Sequence, residues 1–181
     1  MRRLILQMQM SIDGFAGGPN GELDWIFPGF GPDAMGWIVE RLWQAGAHLM
    51  GGITYGDMAA HWPASAEPPA APMNQIPKIV FSKSLRAASW GETRIVTGDL
   101  TTEIARLKRE PGRDLLAHGG VRFARSLIQS GLIDEYRLVV HPVALGRGLQ
   151  PFSELGSPVR LALAEAVTFS TGVIAKTLRP T

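Results

Sequence analysis

The sequence predicts an α/β fold with one mixed, mostly parallel sheet and a closing antiparallel hairpin. Through most of the 181 residues, short apolar segments of strand type alternate with segments whose apolar residues recur at helical spacing. Such alternation is typical of a parallel sheet. Close to the C-terminus, two longer apolar segments flank Ser170-Thr171-Gly172, a sequence that favours a hairpin turn. A chain of this length commonly builds a single core, and we therefore expect one domain over residues 1–181.

Composition narrows the class of function. The 18 basic and 16 acidic residues are interspersed and leave a net charge of +2, so nucleic acid is not the expected partner. The chain has no cysteine and its four histidines are far apart, so no metal site is expected. The N-terminus lacks the apolar run of a signal peptide, and no segment approaches the length of a membrane span. We expect a cytoplasmic protein that acts on a small molecule and not at a membrane.

The first part of the chain is expected to pass from strand to loop to helix. Residues 4–10 form an apolar strand that contains two glutamines and ends in turn residues. Residues 15–33 contain eight glycines and prolines and are predicted to be a loop, and a loop of this length in a compact domain is usually functional. Apolar residues at helical spacing over residues 35–43 predict a helix, and Asp33 is placed to cap its N-terminus.

The middle of the chain continues with further strands and helices. A strand over residues 47–50 runs into Gly51-Gly52 and is followed by a helix over residues 54–62. Residues 63–77 are rich in proline and alanine and are predicted to be a surface loop. The other predicted elements are strands over residues 78–81, 94–96, 115–117 and 136–140, a helix over residues 101–110, a helix that opens at Gly119-Gly120 and ends at Gly131, and hairpin strands over residues 159–169 and 173–178.

Two of these strands are each followed by a glycine pair and a helix, at Gly51-Gly52 and at Gly119-Gly120. Glycine lets a bound group approach the backbone closely, and the N-terminus of a helix offers unpaired N–H groups and a partial positive charge to a phosphate. Two such turns can hold one dinucleotide. Neither turn matches the G-x-G-x-x-G fingerprint of the Rossmann fold, and a glycine pair by itself is more commonly a packing or turn feature. The pattern therefore needs support from further motifs.

Six motifs follow one another along nearly the whole chain. They are Ser11-Ile12-Asp13-Gly14, Gly51-Gly52-Ile53-Thr54-Tyr55, Val80-Phe81-Ser82-Lys83-Ser84, His118-Gly119-Gly120, Gly131-Leu132-Ile133-Asp134-Glu135-Tyr136 and Pro142-Val143-Ala144-Leu145-Gly146-Arg147-Gly148. Because it carries these motifs in this order, the chain resembles the dihydrofolate-reductase-like superfamily, in particular the reductase domain of bacterial riboflavin biosynthesis. The resemblance implies a three-layer fold with helices on both faces of the sheet, and a reductase that uses NADPH.

The resemblance also implies where the cofactor binds. Its diphosphate would lie between the helix starts at Gly52-Ile53-Thr54 and Gly120-Val121, where the Thr54 hydroxyl either donates to a phosphate or caps its own helix. Ser82-Lys83-Ser84 would bind the adenosine end and the 2′-phosphate of the cofactor. The alternative for Lys83 is a solvated lysine on a surface loop. The implied cofactor-binding set is Gly17, Gly51, Gly52, Ile53, Thr54, Ser82, Lys83, Ser84, Gly98, Gly119, Gly120 and Val121.

One position departs from the family pattern. The family often has an arginine directly after the first glycine of the second motif, where this chain has Gly52. That arginine helps to hold the cofactor phosphates, so its absence leaves Lys83, with Arg86 or Arg122, to select NADPH over NADH. His118, just before the second glycine pair, either faces the cofactor or is a hydrogen-bonded histidine at the end of a strand.

Trp25 and Asp33 are the candidate catalytic residues, because the resemblance places a loop tryptophan and a helix acid against the substrate. A carboxyl group in an apolar cleft has a raised pKa and can supply a proton as hydride arrives. The alternatives are an N-cap role for Asp33 and a packed aromatic role for Trp25. Asp13 either lies beside the nicotinamide or stabilises its own turn, and Gly146-Arg147-Gly148 either meets a substrate phosphate or forms a plain surface turn.

Two functions from different classes follow from these residues. The first is an NADPH-dependent reductase that transfers hydride to a C=N or C=O carbon of a pterin- or ribosylaminopyrimidine-like substrate, as in riboflavin biosynthesis. The alternative is a non-catalytic nucleotide-binding module with the same fold. In both cases we expect a homodimer, because the C-terminal strands carry more apolar surface than one sheet face needs and the relatives in riboflavin biosynthesis pair through this end of the sheet.

Overall fold

The computed structural model describes all 181 residues and contains one eight-stranded sheet. The strands are β1 (Leu4–Ser11), β2 (Ala47–Gly51), β3 (Lys78–Phe81), β4 (Thr93–Val96), β5 (Leu115–His118), β6 (Glu135–His141), β7 (Leu161–Thr168) and β8 (Ile174–Pro180). The α-helices are α1 (Pro32–Trp43), α2 (Gly52–His61), α3 (Ala70–Gln75), α4 (Leu100–Arg109) and α5 (Val121–Ser130). Two 3-10 turns, Asp24–Gly29 and Trp62–Ala64, complete the elements. None of the helices is both long and apolar enough to cross a membrane.

The order of the strands across the sheet is β4-β3-β2-β5-β1-β6-β8-β7. β1 to β6 run parallel to one another, whereas β8 is antiparallel to both β6 and β7. The mixed, mostly parallel sheet and its C-terminal hairpin are therefore confirmed. Because the parallel strands share one direction, their carboxyl ends lie along one edge of the sheet, which is the edge where open α/β sheets bind ligands.

The side chains of β1 alternate between two cores. Leu4, Leu6 and Met8 belong to one core together with residues of α4 and α5. Ile5 belongs to a second core, on the opposite face, together with residues of α1, α2 and α3. Helices therefore cover both faces of the sheet, and the predicted three-layer arrangement is confirmed.

Most predicted elements occur within three residues of their expected ends. The strand predicted over residues 78–81 coincides with β3. Gly131 ends α5 as expected, since its φ of 68° lies in the left-handed region that glycine adopts without strain. The hairpin turn between β7 and β8 also falls where the sequence placed it.

The prediction that residues 63–77 form a surface loop is wrong. This segment contains α3, and Met73 and Ile76 are buried, with 2% and 4% of their surfaces exposed. Pro72 is tolerated because it lies in the first turn of the helix, where the N–H that proline lacks would have no partner within the helix. A six-residue helix is too short to show a helical period in the sequence, so composition alone favoured a loop.

The start of α1 also differs from the prediction. Its N-cap is Gly31 and Pro32 is its first residue, so the prediction that Asp33 caps this helix is wrong. Proline is favoured at the first position of a helix because its fixed φ suits the helix and its missing N–H costs nothing there. The predicted loop before α1 includes the 3-10 turn Asp24–Gly29.

Candidate functional site

The two glycine pairs lie side by side at the carboxyl edge of the sheet. β2 and β5 are neighbours, with Leu49 paired to Ala117 in a parallel ladder, so both pairs leave the sheet at a similar level. α2 begins at Gly52 and α5 begins at Val121, directly after Gly120. The unpaired N–H groups and the positive ends of two helix dipoles therefore converge on one region.

Gly120 is the point at which the two turns touch. Its φ of 47° lies in the left-handed region, and a Cβ atom at this position would collide with Thr54 Oγ1. Thr54 does not cap α2, because the N-cap is Gly51 and no side chain, that of Thr54 included, makes a capping hydrogen bond there. The hydroxyl is therefore free to donate to a ligand at the junction of the two turns.

Gly52 lies against the loop that follows β3. A Cβ atom at Gly52 would be 2.8 Å from Ser82 Oγ and 3.0 Å from Ser82 Cβ. The same oxygen accepts hydrogen bonds from the N–H groups of Ser84 (3.3 Å) and Leu85 (3.0 Å). The space in which the arginine side chain of the family pattern would begin is thus taken by Ser82, and glycine is the residue that fits here.

The predicted 2′-phosphate end of the site is exposed and carries charges of both signs. Asp99, the N-cap of α4, accepts a hydrogen bond from the Thr102 N–H (2.9 Å). Hydrogen bonds from Thr102, with a further contribution from the Lys83 ammonium, lower the pKa of Asp99. A Cβ atom at the neighbouring Gly98 would be 2.9 Å from Glu103 Oε1. Lys83 itself is exposed, so its charge remains available to a ligand.

The loop after β1 is hydrogen-bonded to the loop after β6. Asp13 accepts hydrogen bonds from the N–H groups of Leu145 (3.1 Å) and Gly146 (2.7 Å). The carbonyl of Gly17 accepts one from the Leu149 N–H (2.9 Å). Of the two roles considered for Asp13, these contacts favour the stabilisation of turns, and Gly17 contributes through its backbone.

A buried pair of histidines directly precedes the second glycine turn. His118 Nε2 is 2.8 Å from His48 Nδ1, and His48 Nε2 is 3.2 Å from the carbonyl oxygen of Pro72. Because a carbonyl can only accept, His48 carries its proton on Nε2, and His118 Nε2 must then donate to His48 Nδ1. This leaves His118 Nδ1 as an acceptor. Burial lowers the pKa of His118 to about 4, and burial together with His118 lowers the pKa of His48 well below its ordinary value, so both rings are neutral near pH 7.

A polar row, which we define as Gln7, Gln9 and His118, lies on the face of the sheet that α1 covers. Gln7 is in register with His118 of β5 on one side and with Arg137 of β6 on the other. Gln9 Oε1 accepts a hydrogen bond from His141 Nε2 over 2.8 Å. Gln7 Oε1 is buried without a donor, and His118 Nδ1 makes no hydrogen bond within the chain. The polar row therefore contains two acceptors that the protein does not satisfy.

Trp25 and Asp33 lie apart from the glycine turns, towards β6 and the turn between β7 and β8. Trp25 is half-buried, its Nε1 donates to the Glu22 carbonyl (3.0 Å), and its ring packs edge-on against His141 at 5.5 Å. Asp33 accepts hydrogen bonds from the N–H (2.7 Å) and the hydroxyl (3.1 Å) of Ser170, and the first of these is the main cause of its lowered pKa. These contacts favour a packing role for Trp25 and a structural role for Asp33.

The remaining residues of the predicted set surround the glycine turns. Ile53, in the first turn of α2, is 75% exposed although it is apolar. Val121 begins α5, and a Cβ atom at Gly119 would be 3.3 Å from Met8 Cε. An exposed apolar side chain beside two helix N-termini suits a ligand that combines a flat ring with phosphates. The residues that these contacts bring together are Gly51, Gly52, Thr54, Ser82, Gly119 and Gly120.

The polar row was not predicted from the sequence, although β1 carries a signal for it. Gln7 and Gln9 are two residues apart in an otherwise apolar strand, so they must project from the same face. Buried polar groups need partners, and two on one face therefore indicate a polar site. The bond between His118 and His48 has no such signal, because the two residues are 70 positions apart in the chain.

A mixed sheet with two glycine-led helix starts at its carboxyl edge defines a protein of the dihydrofolate-reductase-like class. Residues 2–175 match the model of the RibD C-terminal domain, and the chain belongs to this family. Among its relatives is the uncharacterized protein YyaP of Bacillus subtilis (strain 168), which is 32% identical over 179 residues, an alignment that covers 96% of this chain and 92% of YyaP.

Solved structures share the fold at lower identity. A protein of Shewanella sp. PV-4 that is assigned to riboflavin biosynthesis superposes with a TM-score of 0.78 at 22% identity, and the alignment covers 99% of both chains. The dihydrofolate reductase of Enterococcus faecalis, complexed with NADP(H), superposes with a TM-score of 0.66 at 15% identity, over 99% of this chain and 96% of the reductase. These similarities confirm the dihydrofolate-reductase-like fold.

Proposed function

We propose that this chain is an NADPH-dependent reductase that transfers hydride to a C=N or C=O carbon of a pterin- or ribosylaminopyrimidine-like substrate. The observation that carries the proposal is the junction of Thr54 with Gly120, where two helix N-termini and a free hydroxyl converge. A diphosphate fits this junction, because N–H groups and helix dipoles favour anions and glycine admits a close approach. The likeness to a dihydrofolate reductase complexed with NADP(H) supports the choice of cofactor.

In this proposal the cofactor is held mainly by backbone groups. The N–H groups of Gly52-Ile53-Thr54 and Gly120-Val121 bind the diphosphate, and Lys83 binds the 2′-phosphate. A bound nicotinamide cofactor supplies the hydride, which is chemistry that no side chain provides. The contribution of the chain is to orient the two reactants against each other, and such orientation removes a large entropic part of the barrier.

We assign the substrate to the face of the sheet that carries the polar row, where α1 packs. Gln7 Oε1 and His118 Nδ1 are both acceptors without donors. Pterins and aminopyrimidines carry ring N–H and amino groups, which are the donors that such acceptors need. Trp37 of α1 adds a buried Nε1 donor without an acceptor, and a ring carbonyl of the substrate would complement it.

We infer that the proton that completes the reduction comes from water. Asp33 is held as a carboxylate by its hydrogen bonds from Ser170, and its pKa is lowered, which disfavours the acid form at neutral pH. Both buried histidines are neutral near pH 7, and the only proton of His118 is donated to His48. The polar row therefore positions the substrate and accepts hydrogen bonds, and it contains no group that acts as an acid.

The direct test measures NADPH oxidation with a panel of dihydropterins, aminopyrimidines, imines and carbonyl compounds, together with NADPH binding by calorimetry. Turnover of a pterin or an aminopyrimidine supports the proposal. Tight NADPH binding without turnover of any compound favours the non-catalytic nucleotide-binding module. Failure to bind NADPH at all contradicts the proposed reductase.

Gly120→Val tests the position of the diphosphate. We expect this variant to lose binding of both NADPH and NADH, because valine is strained at a φ of 47° and would collide with Thr54 Oγ1. Gly56→Val is the matched control, since Gly56 lies in α2 and has open space around the position of its Cβ. Circular dichroism verifies that both variants fold. Normal cofactor binding in a folded Gly120→Val protein would place the diphosphate elsewhere.

A further inference from the structure

A second cavity lies at the opposite end of β1 from the glycine turns. It has a volume of about 430 Å³ and is bounded by the last turns of α1 and by β6, β7 and β8. Its charged lining residues are Arg3, Arg41, Arg137, Arg179, Glu135 and Glu165. Arg3 directly precedes β1, whereas Arg137 is in register with Gln7 in the middle of that strand. The cavity is therefore distinct from the proposed diphosphate site at the carboxyl edge, and it lies one strand away from Gln7 of the polar row.

Positive charge is in excess around this arginine cavity. Glu135 is buried, and its carboxylate accepts from three guanidinium groups, those of Arg3 (3.1 Å), Arg137 (2.9 Å) and Arg179 (3.0 Å). The fourth arginine, Arg41, is paired with Glu165 over 3.0 Å. Arg3 is also paired with Asp114 over 2.6 Å, so four arginines against three carboxylates leave a formal charge of +1 around the cavity. The protein thus has fewer carboxylates here than its cations require.

Two of the arginines also have donors that the protein leaves unused. Only 6% of the Arg137 side chain is exposed, and its one hydrogen bond runs from Nε to Glu135, so both of its terminal nitrogens lack an acceptor in the chain. The Nε of Arg41 is buried and has no partner. A buried donor such as Arg41 Nε is costly to leave without an acceptor, and a ligand that accepts from it and from the terminal nitrogens of Arg137 would offset the cost.

We propose that the arginine cavity binds a phosphate group. The planar fork of a guanidinium matches two oxygens of a phosphate, and the excess positive charge favours an anion. The volume accommodates a phosphorylated small molecule as well as the free ion. An adjoining space of about 230 Å³ is lined by the same Arg3, Arg41 and Arg137 together with Asp114 and apolar residues, and it offers room to the uncharged remainder of such a molecule.

Calorimetric titration of the whole chain with inorganic phosphate, in a phosphate-free buffer, tests the proposal. We expect saturable binding at one site, and about a tenfold loss of affinity in Arg41→Gln, because one charge-assisted contact is removed. Arg41→Lys keeps the charge but lacks the fork, and we expect it to bind more weakly than the parent. Arg109→Gln is the control, since Arg109 is exposed, forms no ion pair and lies on α4, away from the arginine cavity.

Two comparisons separate this site from the cofactor site and define its ligand. Gly120→Val should retain phosphate binding at the arginine cavity even where it abolishes NADPH binding. Ribose 5-phosphate that binds more tightly than inorganic phosphate, and is weakened equally by Arg41→Gln, identifies a phosphorylated small molecule as the ligand. Equal affinities identify the free ion. Absence of saturable phosphate binding, or binding that survives Arg41→Gln and is lost in Gly120→Val, overturns the proposal.

Discussion

Asp33 joins two parts of the molecule that are far apart in the chain. It lies in the first turn of α1, yet its carboxylate binds Ser170 in the turn between β7 and β8. Its lowered pKa means that the contribution of this contact to stability is present above pH 3.8, the ordinary value for aspartate, and is lost as the pH falls below it. Asp33, the candidate catalytic acid, thus has a structural role: it holds the turn between β7 and β8 against α1.

Replacing Asp33 distinguishes a structural from a catalytic role. We expect Asp33→Ala to lower the melting temperature, and Asp33→Asn to lower it less, because an asparagine still offers one acceptor oxygen to Ser170. NADPH oxidation by Asp33→Asn should remain close to that of the parent. A folded Asp33→Asn protein with an unchanged melting temperature and no turnover would instead identify Asp33 as the proton donor.

Lys83 is expected to set the preference for NADPH over NADH. The side chain is exposed and unpaired, so its contact with a 2′-phosphate is screened by water and should be worth roughly a three- to tenfold difference in affinity. Lys83→Ala should weaken NADPH binding by this factor and leave NADH binding nearly unchanged in fluorescence titrations. Arg86→Ala serves as a comparison within the same loop. An equal loss for both cofactors would show that Lys83 does not contact the 2′-phosphate.

At the scale of elements, the contact between β2 and β5 makes stability depend on pH. The pKa of His118 is about 4 in the folded chain and about 6.5 in an unfolded one, and His48 is shifted in the same direction. Between these values the unfolded chain binds more protons, so the free energy of unfolding rises with pH and is fully developed above about pH 6.5. For His118 alone the change is on the order of 3 kcal/mol. The buried ammonium of Lys78, which lies next to His48, opposes protonation further.

Urea denaturation between pH 4 and 7 measures this dependence. His118→Asn keeps an N–H donor for His48 but removes one titrating ring, and we expect it to reduce the slope of unfolding free energy against pH. His61→Asn is the control, because His61 is half-exposed and lies outside the buried pair. A parent protein with no change in stability between pH 4 and 6.5 would contradict the neutral, buried state of the two rings.

Some elements could be predicted from adjacent residues in the sequence, and others could not. β3 and the end of α5 were predictable, because an apolar strand and a glycine in the left-handed region are encoded by adjacent residues. α3 was not, since Met73 and Ile76 are buried by tertiary contacts that a stretch rich in proline and alanine does not reveal. Within the site, the glycine turns follow from local motifs. The link between Asp33 and Ser170 depends instead on how the sheet closes, and no local pattern encodes it.

At the scale of the whole molecule, β7 is the feature that predicts a homodimer. It lies at the edge of the sheet and is paired only with β8. Most of its residues are exposed, and Leu163 has 60% of its surface in contact with solvent. Unpaired N–H and C=O groups beside an apolar side chain favour pairing with a second copy, and a closed two-fold arrangement satisfies both edges at once.

Light scattering at micromolar concentration tests the dimer. We expect a mass near twice 19.6 kDa for the parent, and a shift towards 19.6 kDa for Leu163→Lys, because a charge on an edge strand opposes pairing. Leu23→Lys is the control, since Leu23 is also exposed but lies in the loop before α1. A parent mass of 19.6 kDa rejects the dimer. A dimer that Leu163→Lys leaves intact places the interface on another surface.

The close fit of Ser82 over Gly52 makes the two positions interdependent. A side chain introduced at position 52 would begin 2.8 Å from Ser82 Oγ, so the serine has to turn away and give up its hydrogen bonds to Ser84 and Leu85. We therefore expect Gly52→Arg to loosen the loop after β3, which is the loop that carries Lys83. Positions 52 and 82 are then epistatic, because the cost of a larger residue at one depends on what stands at the other.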